Sequence, residues 1–328
     1  MSPRALVTGG AGFIGSHLAE ELLATGWWVD VLDDLSTGRK RNLAPLSGHP
    51  ALTFIEGSAT DPATLARLIR QADVVFHLAA AVGVKLIVDQ PVQTISTNIK
   101  ATELVLELAA QKKGTKVLVA STSEVYGKLD AQKFSESDDL VLGPTDKSRW
   151  CYAASKIIDE HLALAYARQT RLPVTVLRFF NTIGPRQTGQ YGMVVPRFVR
   201  QALKGEPLTV YGDGTQRRSF CHVADVVRAL CALCAHPSAH GRVYNVGATS
   251  EISMAELGKL VNAKVGNAAG LRFVPYAEAY ASGFEDMLRR VPDITRVQSL
   301  IDWKPVRSLD EILDDVIRHE KAVAQAGA

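Results

Sequence analysis

The 328-residue chain contains no run of about twenty apolar residues, so no membrane-spanning helix is expected. Cysteine is scarce: Cys151, Cys221, Cys231 and Cys234 are all there is, and no second Cys/His pair stands at ligand spacing from the Cys231-x-x-Cys234 pair. That pair falls in an apolar helical run, 226–234, which makes both thiols small core residues rather than metal or redox groups. So little cysteine fits the reducing cytoplasm. Excess charge is missing too. Lys and Arg number 37 against 34 Asp and Glu, and the difference of +3 is too small to announce a nucleic-acid surface. Neither internal repeats nor low-complexity segments occur, and the strand-like run that follows Met1-Ser-Pro-Arg4 at once is expected to leave no space for a signal peptide. What remains is ordinary globular usage, 47% apolar and 22% charged, in a chain able to bury roughly 75% of its extended surface.

Short β-branched runs alternate with helical stretches through residue 181. Ala5–Thr8, Val29–Leu32, Leu52–Ile55, Val74–Phe76, Val117–Val119 and Val174–Leu177 read as strands without alternation, as a sheet covered on both faces requires. Helices are expected at about 12–25, from Asp61-Pro62, at 91–112 and at 150–169. The pattern predicts an α/β fold with a doubly wound parallel sheet. Beyond Asn181 the rhythm changes, with helical patterns at 195–204, 223–234, 254–265 and 309–320 and a strand at 243–246. This predicts a dinucleotide-binding unit over 1–181, one return segment at about 219–248, and a smaller lobe from 182–218 and 249–328. The residues after Lys321 read as a frayed end.

Thr8-Gly-Gly-Ala-Gly-Phe-Ile-Gly15 stands between the first strand and the first helix. Gly9, Gly12 and Gly15 permit a tight turn, backbone approach to a pyrophosphate and close helix–strand contact, with the helix N-terminus facing the phosphates. Asp33 follows at the end of the second strand, where a carboxylate accepts both ribose hydroxyls and repels a 2′-phosphate. The cofactor expected is NAD. Ser121–Gly127 follows the fifth strand, at the carboxyl edge where such sheets bind ligands, and Tyr152-x-x-x-Lys156 begins a helix with phenol and ammonium on one face. That ammonium, with an oxidised nicotinamide, stabilises phenolate, so Tyr152 is expected to take an alcohol proton as hydride leaves carbon, with Thr122 sharing the hydrogen bond.

TGGAGFIGSH, His77-Leu-Ala-Ala80, Tyr152/Lys156, Arg178-Phe-Phe-Asn181, Gly212-Asp-Gly214 and Arg290-Val-Pro-Asp293 occur in this order. Over about residues 4–322 the chain resembles the extended short-chain dehydrogenase/reductases of the nucleotide-sugar epimerase/dehydratase family, with their Rossmann sheet. The resemblance implies that Phe13, Ile14, Leu78 and Ala79 border the cofactor, with Ser58 where many members carry an acidic residue against adenine. It further implies that Asn181 and Arg218 hold a nucleotide diphosphate, that Val195 and Tyr211 border its base, and that Ser123 meets the sugar. Thr122-Ser123-Glu124 and the stretch 143–152 resemble the UDP-glucuronate decarboxylases, in which Glu124 and Arg290 would match the glutamate and arginine around C5 and the carboxylate. By that resemblance the substrate is UDP-glucuronate, oxidised at C4, decarboxylated, and released as a UDP-4-ketopentose or UDP-xylose. A 4-epimerase, a 4,6-dehydratase and a non-catalytic NAD-binding scaffold are the alternatives. A homodimer through helices 91–112 and 150–169 is also implied. Lys85 and Arg217 are expected in solvent, His77 in the wall under the nicotinamide, and His222 at a strand end or helix cap.

Overall fold

The computed structural model describes residues 2–81, 90–188, 193–275, 278, 287 and 289–326. Seven parallel strands form its central sheet: β1 (Arg4–Thr8), β2 (Trp28–Asp33), β3 (Leu52–Glu56), β4 (Val74–His77), β5 (Lys116–Thr122), β6 (Val174–Phe179) and, from further along the chain, β11 (Arg242–Val246). Their spatial order is β11-β6-β5-β4-β1-β2-β3, so the winding reverses between β1 and β4. In β1, Leu6 faces one side while Ala5 and Val7 face the other, and all are fully buried. Continuous apolar strands are therefore what a sheet covered on both faces selects.

On the Leu6 face lie α2 (Pro62–Ile69), α3 (Pro91–Ala110) and α4 (Cys151–Thr170), contributing Leu65, Val105 and Ala163 to one core. The Val7 face is covered by α1 (Phe13–Ala24) and α6 (Val223–Ala235). Local signals set the ends. Asp61 accepts from the Ala63 and Thr64 amides ahead of α2, with Pro62 opening the helix where its missing N–H is not needed.

The smaller lobe holds α5 (Val194–Leu203), α7 (Met254–Val265) and α9 (Leu309–Ala326), whose Phe198, Leu257 and Val316 share a core with Val210 of β8 (Leu208–Tyr211). Ser253 caps α7 in a reciprocal box with Glu256. Short strand pairs complete the lobe: β7 (Thr182–Ile183) with β10 (Cys221–His222), β9 (Arg217–Ser219) with β12 (Glu251–Ser253), and β8 with β13 (Leu271–Val274). Two expectations are corrected. The chain returns to the large core a second time, because Val297 of α8 (Thr295–Ile301) and Trp303 pack into it. The C-terminal residues also do not fray at Lys321. They continue α9 to Ala326, as their alanines favour.

Candidate functional site

The glycine turn leaves β1 at the point where the sheet order reverses, the position from which open α/β sheets bind ligands. Gly9 has φ +70°, and a Cβ there would lie 2.8–2.9 Å from the Ala79 backbone, so only glycine lets the turn approach the strand beside it. Gly12 is the N-cap of α1 and contributes no side chain, and the first turn carries no acidic residue. The bare N–H end of α1 therefore faces the cavity that Gly12, Phe13 and Ile14 line.

Asp33 ends β2 with one oxygen accepting from the Ala11 amide at 2.9 Å and the other from Leu35 at 2.8 Å. Burial raises its carboxyl above the usual range, opposed by those amides. Gly38 is packed against it: a Cβ at 38 would lie 2.6 Å from Asp33 Oδ1. The Asn42 amide ties the Ala11 carbonyl at 2.9 Å, bracing the turn with a residue the motif reading missed. Ser58 joins its hydroxyl to that of Thr60 at 2.8 Å. An uncapped helix end, a glycine cradle and an anchored carboxylate together fit a dinucleotide. Gly9, Gly12 and Gly15 would receive its pyrophosphate and Asp33 its adenosine ribose.

Strand β5 ends at Thr122, whose hydroxyl caps the following 3-10 turn, Ser123–Tyr126, by accepting from the Glu124 amide at 3.2 Å. Arg290 arrives from far along the chain and places Nη1 3.5 Å from both Ser123 Oγ and Glu124 Oε1. Tyr152 and Lys156 occupy the first two turns of α4, and Lys156 donates to Asp159 Oδ2 at 2.9 Å. Beneath the turn, Glu160 takes Arg178 through two hydrogen bonds, at 2.9 and 2.7 Å, and Ser121 at 2.5 Å.

On the opposite side, Asn181 donates to the Ser219 carbonyl at 3.0 Å, Arg218 donates to the Arg217 carbonyl at 2.8 Å, and the Arg197 guanidinium lies 4.4 Å over the Tyr211 ring. All these groups converge. One cavity of about 730 Å³ is lined by Gly9, Gly12, Phe13, Ile14, Gly15, Asp33, Ser58, Leu78, Ala79, Thr122, Ser123, Glu124, Tyr152, Lys156, Asn181, Val195, Tyr211, Arg218 and Arg290. The site candidates drawn from the sequence, His77 apart, thus line one cavity.

His77 is not in the wall but behind it, 1% exposed and bonded to Thr8 and Thr102. His222 caps α6 by accepting from Ala224. Arg217 is half-exposed beside Glu251 and Glu256. Lys85 lies outside the described residues. Among the described residues no helix is long and apolar enough to cross a membrane, no His/Cys/Asp/Glu group forms a metal site, and no cysteine is in a disulfide.

The profile of the epimerase group described as the NAD dependent epimerase/dehydratase family matches residues 5–247. The chain belongs to that family. NAD is its cofactor. It is 41% identical over 319 residues to the UDP-N-acetyl-alpha-D-glucosaminuronate decarboxylase of Bacillus cytotoxicus, covering 97% of this chain and 98% of the relative. UDP-glucuronic acid decarboxylase 1 of Xenopus tropicalis is 37% identical, covering 96% of this chain and 72% of the relative. A similar solved structure is UDP-glucuronic acid 4-epimerase from Bacillus cereus, in complex with UDP-glucuronic acid and NAD, with TM-score 0.86, 29% identity and 98% and 99% coverage.

Proposed function

We propose that this chain is an NAD-dependent decarboxylase of a UDP-linked hexuronate, with UDP-glucuronate as substrate. The observation that carries the reading is the Glu124–Arg290 pair beside Ser123, in the same cavity as Tyr152 and Lys156. A reaction that only removes and returns hydride at C4 has no use for a second charged pair. A reaction that breaks the bond from C5 to the carboxylate does.

NAD, when bound against Gly9, Gly12, Gly15 and Asp33, would supply the acceptor for hydride from C4 of the sugar. Tyr152 takes the proton of the C4 hydroxyl, Thr122 hydrogen-bonds that oxygen, and the Lys156 ammonium stabilises the phenolate. The resulting C4 ketone lies β to the C5 carboxylate. Carbon dioxide then departs as the electrons of the C5–C6 bond pass into the ketone as an enolate. Glu124 orients the carboxylate out of the ketone plane, where the breaking bond overlaps the carbonyl. Arg290, charged at every working pH, positions the water or acid that delivers the C5 proton. Asn181 and Arg218 hold the diphosphate, while Val195 and Tyr211 border the base.

The 41% identity to a decarboxylase of the N-acetylated uronate favours a second reading, in which C2 carries an acetamido group. Product mass decides. Incubation with UDP-glucuronate and with UDP-N-acetylglucosaminuronate, separately, should give loss of carbon dioxide from at least one of them. Loss of water alone, or an isomer of unchanged mass, replaces the reading with a dehydratase or an epimerase. Binding of NAD with no change in either sugar makes the chain a scaffold.

The reading places the chain in the cytoplasm, where cysteines outside any disulfide are at home. A homodimer through α3 and α4 is supported by Val92, 78% exposed on α3, together with the exposed Ile95 and Ile158 on the same pair of helices. The dinucleotide unit is taken as 1–181 with returns at about 219–248 and 294–303, and the sugar lobe as 182–218 with the rest of 249–328.

A further inference from the structure

A line of buried polar groups runs behind the cavity wall from the glycine turn to Lys156. The Thr8 hydroxyl lies 2.8 Å from His77 Nδ1 and accepts from the Ala79 amide at 3.3 Å. His77 Nε2 lies 3.2 Å from the Thr102 hydroxyl of α3. Asp159 Oδ2 takes the Lys156 ammonium at 2.9 Å, while Oδ1 of the same carboxylate is buried without a hydrogen-bond partner among the described residues. The side chains of Lys156 and Asp159 are 2% and 0% exposed.

Burial holds the His77 pKa down at about 3, so the ring is neutral, with one nitrogen donating and the other accepting between Thr8 and Thr102.

We propose that Asp159 is a positioning residue for hydride transfer that holds the Lys156 ammonium in place, one helical turn from Tyr152. This deepens the reading above and rests on Tyr152 and Lys156 acting as described there. The groups facing the pair leave Asp159 as the counter-ion. Glu160, next along α4, is committed to Arg178 and Ser121, His77 from β4 is neutral, and Thr102 from α3 is uncharged. Burial pushes the Asp159 carboxyl up, and Lys156 and Thr102 draw it back. Without that carboxylate the buried ammonium loses its counter-charge and is no longer held beside the phenol it serves.

The test compares Asp159→Asn, Asp159→Glu and Thr102→Val with the wild-type holoenzyme. Substrate-dependent NADH formation should fall about tenfold or more in Asp159→Asn with KM for the UDP-sugar held within about threefold, and Asp159→Glu should recover part of the loss. The pH profile of that step should move upward by about one unit, as a less stabilised phenolate requires. Thr102→Val should shift it the same way by less, and carries the test if Asp159→Asn does not fold. An activity-independent readout is the ε-carbon resonance of Lys156 in protein labelled with [ε-¹³C]lysine, assigned with Lys156→Met. It should reach its amine position at lower pH in Asp159→Asn than in the wild type. Superimposed pH profiles, or an unchanged Lys156 titration in a folded variant, overturn the inference. If the wild type forms no NADH with either sugar, the functional reading fails, while the lysine titration still decides the role of Asp159.

Discussion

Replacing Glu160 by alanine removes the carboxylate that receives both Arg178 nitrogens and the Ser121 hydroxyl, in a place where arginine and glutamate are each about 5% exposed. The guanidinium stays charged and buried against the face of Tyr126, 4.8 Å away. Breaking one side of a buried pair costs about 3–5 kcal/mol, mostly as the penalty of the orphaned charge. Unfolding entropy of about 2.1 cal/mol/K per residue gives about 0.7 kcal/mol/K for a chain of this length, so Tm should fall by about 4–7 °C. Scanning calorimetry at fixed NAD concentration measures it, since bound cofactor itself raises Tm. Glu160→Leu combined with Arg178→Met should recover most of the loss, because the orphaned charge goes with its partner. A Glu160→Ala protein melting within about 1 °C of the wild type would refute the reasoning.

NADP should bind at least tenfold more weakly than NAD, because a 2′-phosphate beside Asp33 costs more than about 1.4 kcal/mol in repulsion and lost hydrogen bonds; equal dissociation constants by calorimetry would contradict this. Glu124→Gln and Arg290→Ala should depress carbon dioxide release far more than initial C4 oxidation, so that NADH accumulates in a stopped-flow single turnover; a rise in KM alone would make Arg290 a phosphate ligand instead. Stability should decline as pH falls below about 6.5. Burial lowers His17 to about 4 and His77 to about 3, so the unfolded chain takes up those two protons first and the stability is lost progressively toward the folded values. Two protons correspond to about 2.7 kcal/mol per pH unit near pH 5, and His17→Gln should roughly halve the contribution of this pair in urea titrations.

The parts of the fold legible in the sequence are those written as continuous apolar runs. Val74–Phe76 could be read as a strand at once, because a sheet covered on both faces tolerates little else. The same strands were read short at their carboxyl ends. Ser121 and Thr122 belong to β5, and Asp33 to β2, yet they are polar because the site is built there. Three-residue strands such as Arg217–Ser219 and Glu251–Ser253 have no periodicity to read and exist through their pairing. The seven-residue helix Thr295–Ile301 is too short to show a stripe.

At the site, the glycine turn and the Tyr152/Lys156 spacing were legible because backbone clearance and helical reach impose them. Asp159 and Glu160 were not. On a helix pattern they look like a solvated face, and only the packing of α3, β5 and β6 around α4 shows that they are buried. His77 was misplaced for a related reason. Its motif fixes its distance from the glycine turn, but the partners that turn it away from the cavity, Thr8 and Thr102, lie 69 and 25 residues away.

The central claim is that C4 oxidation here leads to loss of the C5 carboxylate. Its most direct test is the fate of carbon 6 in UDP-[6-¹³C]glucuronate, and in the N-acetylated analogue, incubated with the purified holoenzyme in deuterated buffer. The account predicts ¹³CO₂ in amounts equal to the sugar consumed, with solvent deuterium at C5 of a UDP-pentose product. Consumption of sugar with carbon 6 retained throughout, whether as the galacturonate isomer or as a dehydrated ketosugar, would contradict it.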